Sequence, residues 1–347
     1  MIGCELCLNR TVGSPPDAVD DVERGMRFLL ISSLVMLLVA GPPAGANPAR
    51  WTQEWPQTDF ASAAVDLGEI RDGGPPKDGI PAIDDPRFRP VAEVDDLADA
   101  EPVIGLTVSG ESRAYPLRIL TWHEIVNDVI AGVPVAVTYC PLCNAAIVFD
   151  RRLDGAVLDF GTTGKLRYSD LVMYDRQTES WWQQYSGEAI VGHYAGHTLE
   201  MLPSLLESWA EFRTRAPDGM VLVPADPDAR PYGTNPYIGY DSAGMPFLYD
   251  GEVPAGIAPL ARVVVVGEEA WSLERLREAG RIEAGDLVLS WRPGQASALD
   301  TRRIADGRDV GSVIVQRERN GRLQDVVHHV TFAFVFHAFE PDGTLHR

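Results

Sequence analysis

The chain has 347 residues, 45% of them apolar, and carries 50 acidic against 30 basic side chains for a formal charge of −20. That length can bury the core of one large or two modest domains. The acidic balance argues against nucleic acid or an anionic membrane surface as a partner, because the phosphate term would be repulsive.

Residues 1–46 read as an upstream extension plus a leader. Met26-Arg27 precedes an apolar run of 13 residues, Phe28 to Ala40, followed by Pro42, Pro43 and Ala44-Gly45-Ala46. This is the charged start, apolar core and small-residue cleavage site of a secretory signal peptide, and the run is too short to span a bilayer. Met26 is the expected initiator and Ala46 the last residue removed, so Cys4 and Cys7 fall outside the mature chain. Residues 47–347 are then a single globular domain, periplasmic or secreted, without integral membrane association. Removal of three basic and five acidic side chains leaves it at −18. Its two cysteines are too few for a disulfide framework, so the core must carry stability.

From Trp51 to Ala100 the chain is rich in Pro, Gly and Asp and predicts loops. Val103 to Val108 and Ser112 to Leu117 predict a hairpin around Ser109-Gly110-Glu111. Pro116 to Ile130 predicts a helix, with Pro in its first turn and Gly132 past its end. On it Ile119, His123, Val126 and Ile130 share one face, which sets His123 among apolar residues. The ordinary role for such a residue is a buried histidine bonded to backbone. Glu124, Asn127 and Asp128 would then fall in the C-terminal half, where the helix dipole does not favour acids.

The stretch VAVTYCPLCNAAIVFD, Val135 to Asp150, alternates apolar and small residues on both sides of Cys140-Pro141-Leu142-Cys143. It predicts two strands joined by a cysteine turn. In thioredoxin-like proteins a C-x-x-C opens a helix that lowers a thiol pKa; here nothing helical follows. Ala146 to Phe160 predicts two strands about Asp154-Gly155. Gly161-Thr162-Thr163-Gly164-Lys165 has two residues between its glycines, where a phosphate loop needs four. Trp181 and Trp182, adjacent on a strand, must face opposite sides. His193 and His197 sit in GHYAGH, more turn than helix.

Pro203 to Arg215 predicts an amphipathic helix. Pro224 to Pro259 is irregular but holds four tyrosines and a phenylalanine, which favours a packed loop over a linker. Strands are predicted at Arg262 to Val266, Asp286 to Trp291, Val310 to Gln316 and Val330 to Phe339. The last is apolar on both faces, so it reads as a central strand with His337 buried. The fold class expected is α+β, mainly β: antiparallel strands and hairpins with a few short amphipathic helices.

WHEIVND (Trp122 to Asp128), VTYCPLCNAAIVFDR (Val137 to Arg151), LDFGTTGKLRYSDLVMYDRQTESWWQQ (Leu158 to Gln184) and WRPGQASALDT (Trp291 to Thr301) resemble the signature stretches of domain-of-unknown-function family 3179 of bacteria and archaea. The resemblance implies an exported single-unit protein in which the CPLC turn belongs to a family motif, and it carries no catalytic residues over.

The leading functional expectation is a mononuclear metal site. Two thiolates on a tight turn can point at one ion, as in a zinc knuckle. The remaining ligands must be histidines or carboxylates, and the histidines expected to be buried are His123 and His337. A set of Cys140, Cys143, His123 and His337 would suit one zinc, or one copper if a thioether such as Met173 approaches. The second expectation is a thiol-disulfide oxidoreductase cycling Cys140 and Cys143. The third is a non-enzymatic binding module with a structural disulfide and aromatic-rich loops. No serine nucleophile elbow, H-E-x-x-H, nucleotide fingerprint or EF-hand string is present.

Overall fold

The runs of period two fold as antiparallel hairpins. Pro102–Val108 pairs with Glu111–Pro116 around Ser109 and Gly110, both at positive φ. Val133–Cys140 pairs with Ala145–Asp150 across the cysteine turn. The structure, a computed structural model, describes residues 48–347. The leader expected over residues 1–46, with its Met26 start and its cleavage after Ala46, lies outside the described residues.

Five sheets of four or five strands and one two-stranded ribbon make up the described residues. Strand makes up 41% and helix 15%, in a propeller-like arrangement. This is the mainly β class with antiparallel hairpins that the sequence predicts; among the described residues each α-helix has only seven residues. Among the described residues no helix is long and apolar enough to cross a membrane.

Three elements depart from the sequence reading. The helix expected over 116–130 stops after Leu117–His123, where Glu124 takes φ +58, and Ile125–Ile130 continues as a strand paired with Val133–Cys140. Ile125, Val126, Val129 and Ile130 are β-branched, and pairing with the neighbouring strand overrides their helical spacing. Ala131 and Gly132, both at positive φ, form the hairpin turn there. The helix expected over 203–215 begins as the strand Ser204–Ser208 against Pro102–Val108; only Trp209–Arg215 is helical, started by a capping box between Ser208 and Glu211. The strand expected over 330–339 is His329–Phe332 followed by the helix Ala333–Phe339. A short run that is apolar on all sides does not separate the two by period.

Trp181 and Trp182 face opposite sides and both are fully buried. Trp182 joins the main core, while Trp181 packs with Trp51, Trp55 and Phe60 in a satellite cluster. The irregular segment 224–259 is packed: Tyr232, Tyr237, Tyr240 and Tyr249 lie on the main core.

Candidate metal centre

Two hairpin turns meet in the interior. In the first, the Cys140 carbonyl accepts from Cys143 N at 3.3 Å and the Pro141 carbonyl from Asn144 N at 3.2 Å. Asn144 sits at φ +51, a conformation Asn tolerates better than most residues. The second joins Phe160–Arg167 to Asp170–Asp175 through Tyr168 and Ser169, both at positive φ (53 and 67). A two-residue turn of that kind matches strand twist but normally employs Asn or Gly. Here the strained backbone aims the Ser169 carbonyl at both thiols, 3.4 Å from Cys143 Sγ and 3.8 Å from Cys140 Sγ.

Asp170, the first residue after that turn, completes the cluster. Its carboxylate and the two sulfurs lie within 4.8 Å of one another, and all three residues are buried. A third sheet closes over them, since Thr331 Oγ1 and Phe332 N donate to the Cys143 carbonyl at 2.9 and 3.1 Å. The Asp170 oxygens differ. Oδ2 accepts from Gln183 Nε2 at 2.6 Å and from Tyr185 N at 2.9 Å, whereas Oδ1 is buried with no N–H or O–H donor among the described residues; the thiols of Cys140 and Cys143 are the donors set beside the carboxylate. A buried acceptor left over in this way is costly unless something meets it.

Burial governs the electrostatics. It pushes the Asp170 carboxyl up to about 6 against the hydrogen bonds it accepts, raises the Cys140 thiol, and drives Cys143 well above its usual range with help from Cys140. Glu124 is buried as well and accepts no side-chain hydrogen bond among the described residues. Burial, then the charge of Asp170, pushes it up to about 8. Its charge raises Cys140 and Tyr237, and it lines one cavity together with Leu142 of the cysteine turn and Tyr237 of the 224–259 segment. Four acidic groups that resist ionising together are a poor anion array on their own. A cation among them would reverse the preference and displace the protons.

The structure brings Cys140 and Cys143 together and leaves His123 and His337 outside their cluster. His123 has both ring nitrogens engaged, Nδ1 with the Pro81 carbonyl and Nε2 with Tyr232 Oη, each at 2.8 Å. His337 lies in the last turn of the Ala333–Phe339 helix and is half-buried, because that segment is not the central strand expected of it. Met173 is three residues beyond Asp170 on one strand, hence on the opposite face, and belongs to the main core. Asp170 and Glu124 escaped the sequence reading. The signal for Asp170 is its place directly after a turn whose two residues both hold positive φ, and no residue type there announces this.

A sequence profile for a family described as protein of unknown function (DUF3179) matches residues 77–343, a span holding the cysteine turn, Glu124 and Asp170. No curated protein and no solved structure matches the chain.

Proposed function

From the premise that the chain belongs to the DUF3179 family of proteins of unknown function, we propose that it is a metal-binding protein whose mononuclear centre is held by Cys140, Cys143 and Asp170. The observation that carries this reading is the convergence of two thiols and a carboxylate within 4.8 Å, with one buried carboxylate oxygen that no N–H or O–H among the described residues meets. Two thiolates with a carboxylate suit zinc, and three protein ligands leave one position for an exchangeable ligand, the pattern of catalytic rather than structural zinc. Copper is the less favoured ion, because Met173 faces away. The leader read over residues 1–46 would place this centre in the periplasm or outside the cell, an oxidising setting in which a pair of unliganded thiols is open to disulfide formation.

The nearness of the two free thiols also permits a disulfide couple. Against it, burial raises both thiols, and the turn opens no helix to stabilise a thiolate. Metal analysis by mass spectrometry together with a free-thiol count separates the two. We expect about one zinc per chain, lost in Cys140→Ser and retained in His337→Ala. A chain that takes up no zinc or copper and shows no free thiol at Cys140 or Cys143 until reductant is added would overturn the metal reading in favour of the disulfide.

A further inference from the structure

Beside the cysteine turn lies a cavity of about 480 Å³, within the range of small-molecule sites. Leu142 of the turn itself, Leu171 next to Asp170, and Glu124 form the side nearest the cluster; Tyr237 and Tyr240 of the 224–259 segment also line it. We infer that this cavity is the substrate pocket of the proposed centre and receives a neutral, ring-bearing, mainly apolar small molecule that makes one hydrogen bond to Glu124. The inference rests on the metal-centre reading for its chemistry, though not for its binding.

Three features select that class. Among the described residues Lys165 is the single cation on the lining, and its ammonium already meets Glu54 at 3.3 Å and Asp72 at 3.9 Å, so an anionic ligand finds no free counter-charge there. An organic cation would have to shed its water against one carboxyl in an otherwise apolar surround, which costs more than the pair returns. A neutral molecule needs only one polar partner, and Glu124 is a carboxyl on the lining for which burial and the Asp170 charge, with no hydrogen bond among the described residues, set the environment. The rest of the lining offers rings and aliphatic side chains, extended at the rim by the exposed Ile238 and Phe247.

The test uses the full chain, freed of metal with chelator and kept reduced, titrated with the neutral dye Nile red and followed by fluorescence. Saturable binding is expected, weakened by about tenfold or more in Ala243→Trp, which narrows the cavity from an exposed position. Binding should be unchanged in His337→Ala, which lies on the Ala333–Phe339 helix and off the lining. Saturating dye should also slow alkylation of Cys140 and Cys143 by N-ethylmaleimide, read at those peptides by mass spectrometry, in wild type but not in Ala243→Trp. Absent saturation, binding indifferent to Ala243→Trp, or tighter binding of cationic dansylcholine or an anionic naphthalene sulfonate would overturn the inference. A chain that holds zinc and binds no dye overturns the pocket alone; one that binds dye and no metal overturns the centre alone.

Discussion

Asp170 divides its work between its two oxygens, and that division can be tested. Oδ2 satisfies the Gln183 amide and the Tyr185 N–H, while Oδ1 meets no N–H or O–H among the described residues. Asp170→Asn keeps the side-chain shape and one acceptor oxygen, so folding should be little disturbed, with a thermal midpoint within about 3 °C of wild type. The charge facing the thiolates is gone, and zinc affinity should fall by about a hundredfold or more in competition with a chromogenic chelator. Asp170→Ala is a different perturbation. It strands two buried donors, each costing about 1–3 kcal/mol, and should lower the urea midpoint clearly. Wild-type zinc affinity in Asp170→Asn, alongside loss in Cys140→Ser, would remove Asp170 from the ligand set.

The elements hold these groups in place through contacts remote in sequence. The 224–259 segment, which supplies Tyr237 and Tyr240, is tied down at Asp241. Its carboxylate meets Arg262 at 3.0 Å and Arg308 at 2.9 Å, and accepts from Ser297 Oγ. Burial alone would raise Asp241, yet Arg262, Ser297 and Arg308 together hold it below the usual carboxylate range. Arg262 is itself buried, so Asp241→Asn leaves an uncompensated guanidinium and should cost about 3–5 kcal/mol in urea denaturation. The neutralising pair Asp241→Asn with Arg262→Met should recover part of that loss, and faster hydrogen exchange in the single variant should centre on 236–247. A loss below 1 kcal/mol, on the order of a surface pair, would show that the segment is held elsewhere. The hairpins, the cysteine turn and the packed character of 224–259 were legible because each depends on local period or composition. The end of the helix at His123 was not, because Ile125–Ile130 satisfies helical and strand spacing alike and its partner strand decides. Glu124 and Asp170 were invisible among 50 acidic residues, since their burial is a property of three sheets meeting.

Those sheets meet at one seam, and the seam has a pH dependence of its own. The strand that donates to the Cys143 carbonyl through Thr331 also carries His329, which is buried with Nε2 unpartnered. Its ring lies edge-on to Tyr185 at 5.0 Å, and Tyr185 stacks on Phe339 at 4.5 Å. Burial, then the neighbouring His328, lowers His329 from 6.5 to about 3. The folded protein therefore refuses a proton that the unfolded chain accepts between those values. Stability from this residue is intact above pH 6.5 and is lost as pH falls towards 3, at up to about 1.4 kcal/mol per pH unit. Glu124 and Asp170, raised by burial, act in the opposite direction, gaining stability on acidification. The difference between wild type and His329→Phe isolates the histidine. Urea denaturation of the metal-free protein at pH 7.5, 6 and 5 should show the variant gaining on wild type as pH falls. A gap between the two that stays constant over that range would mean that His329 keeps an ordinary affinity for its proton and that the seam opens enough to hydrate it.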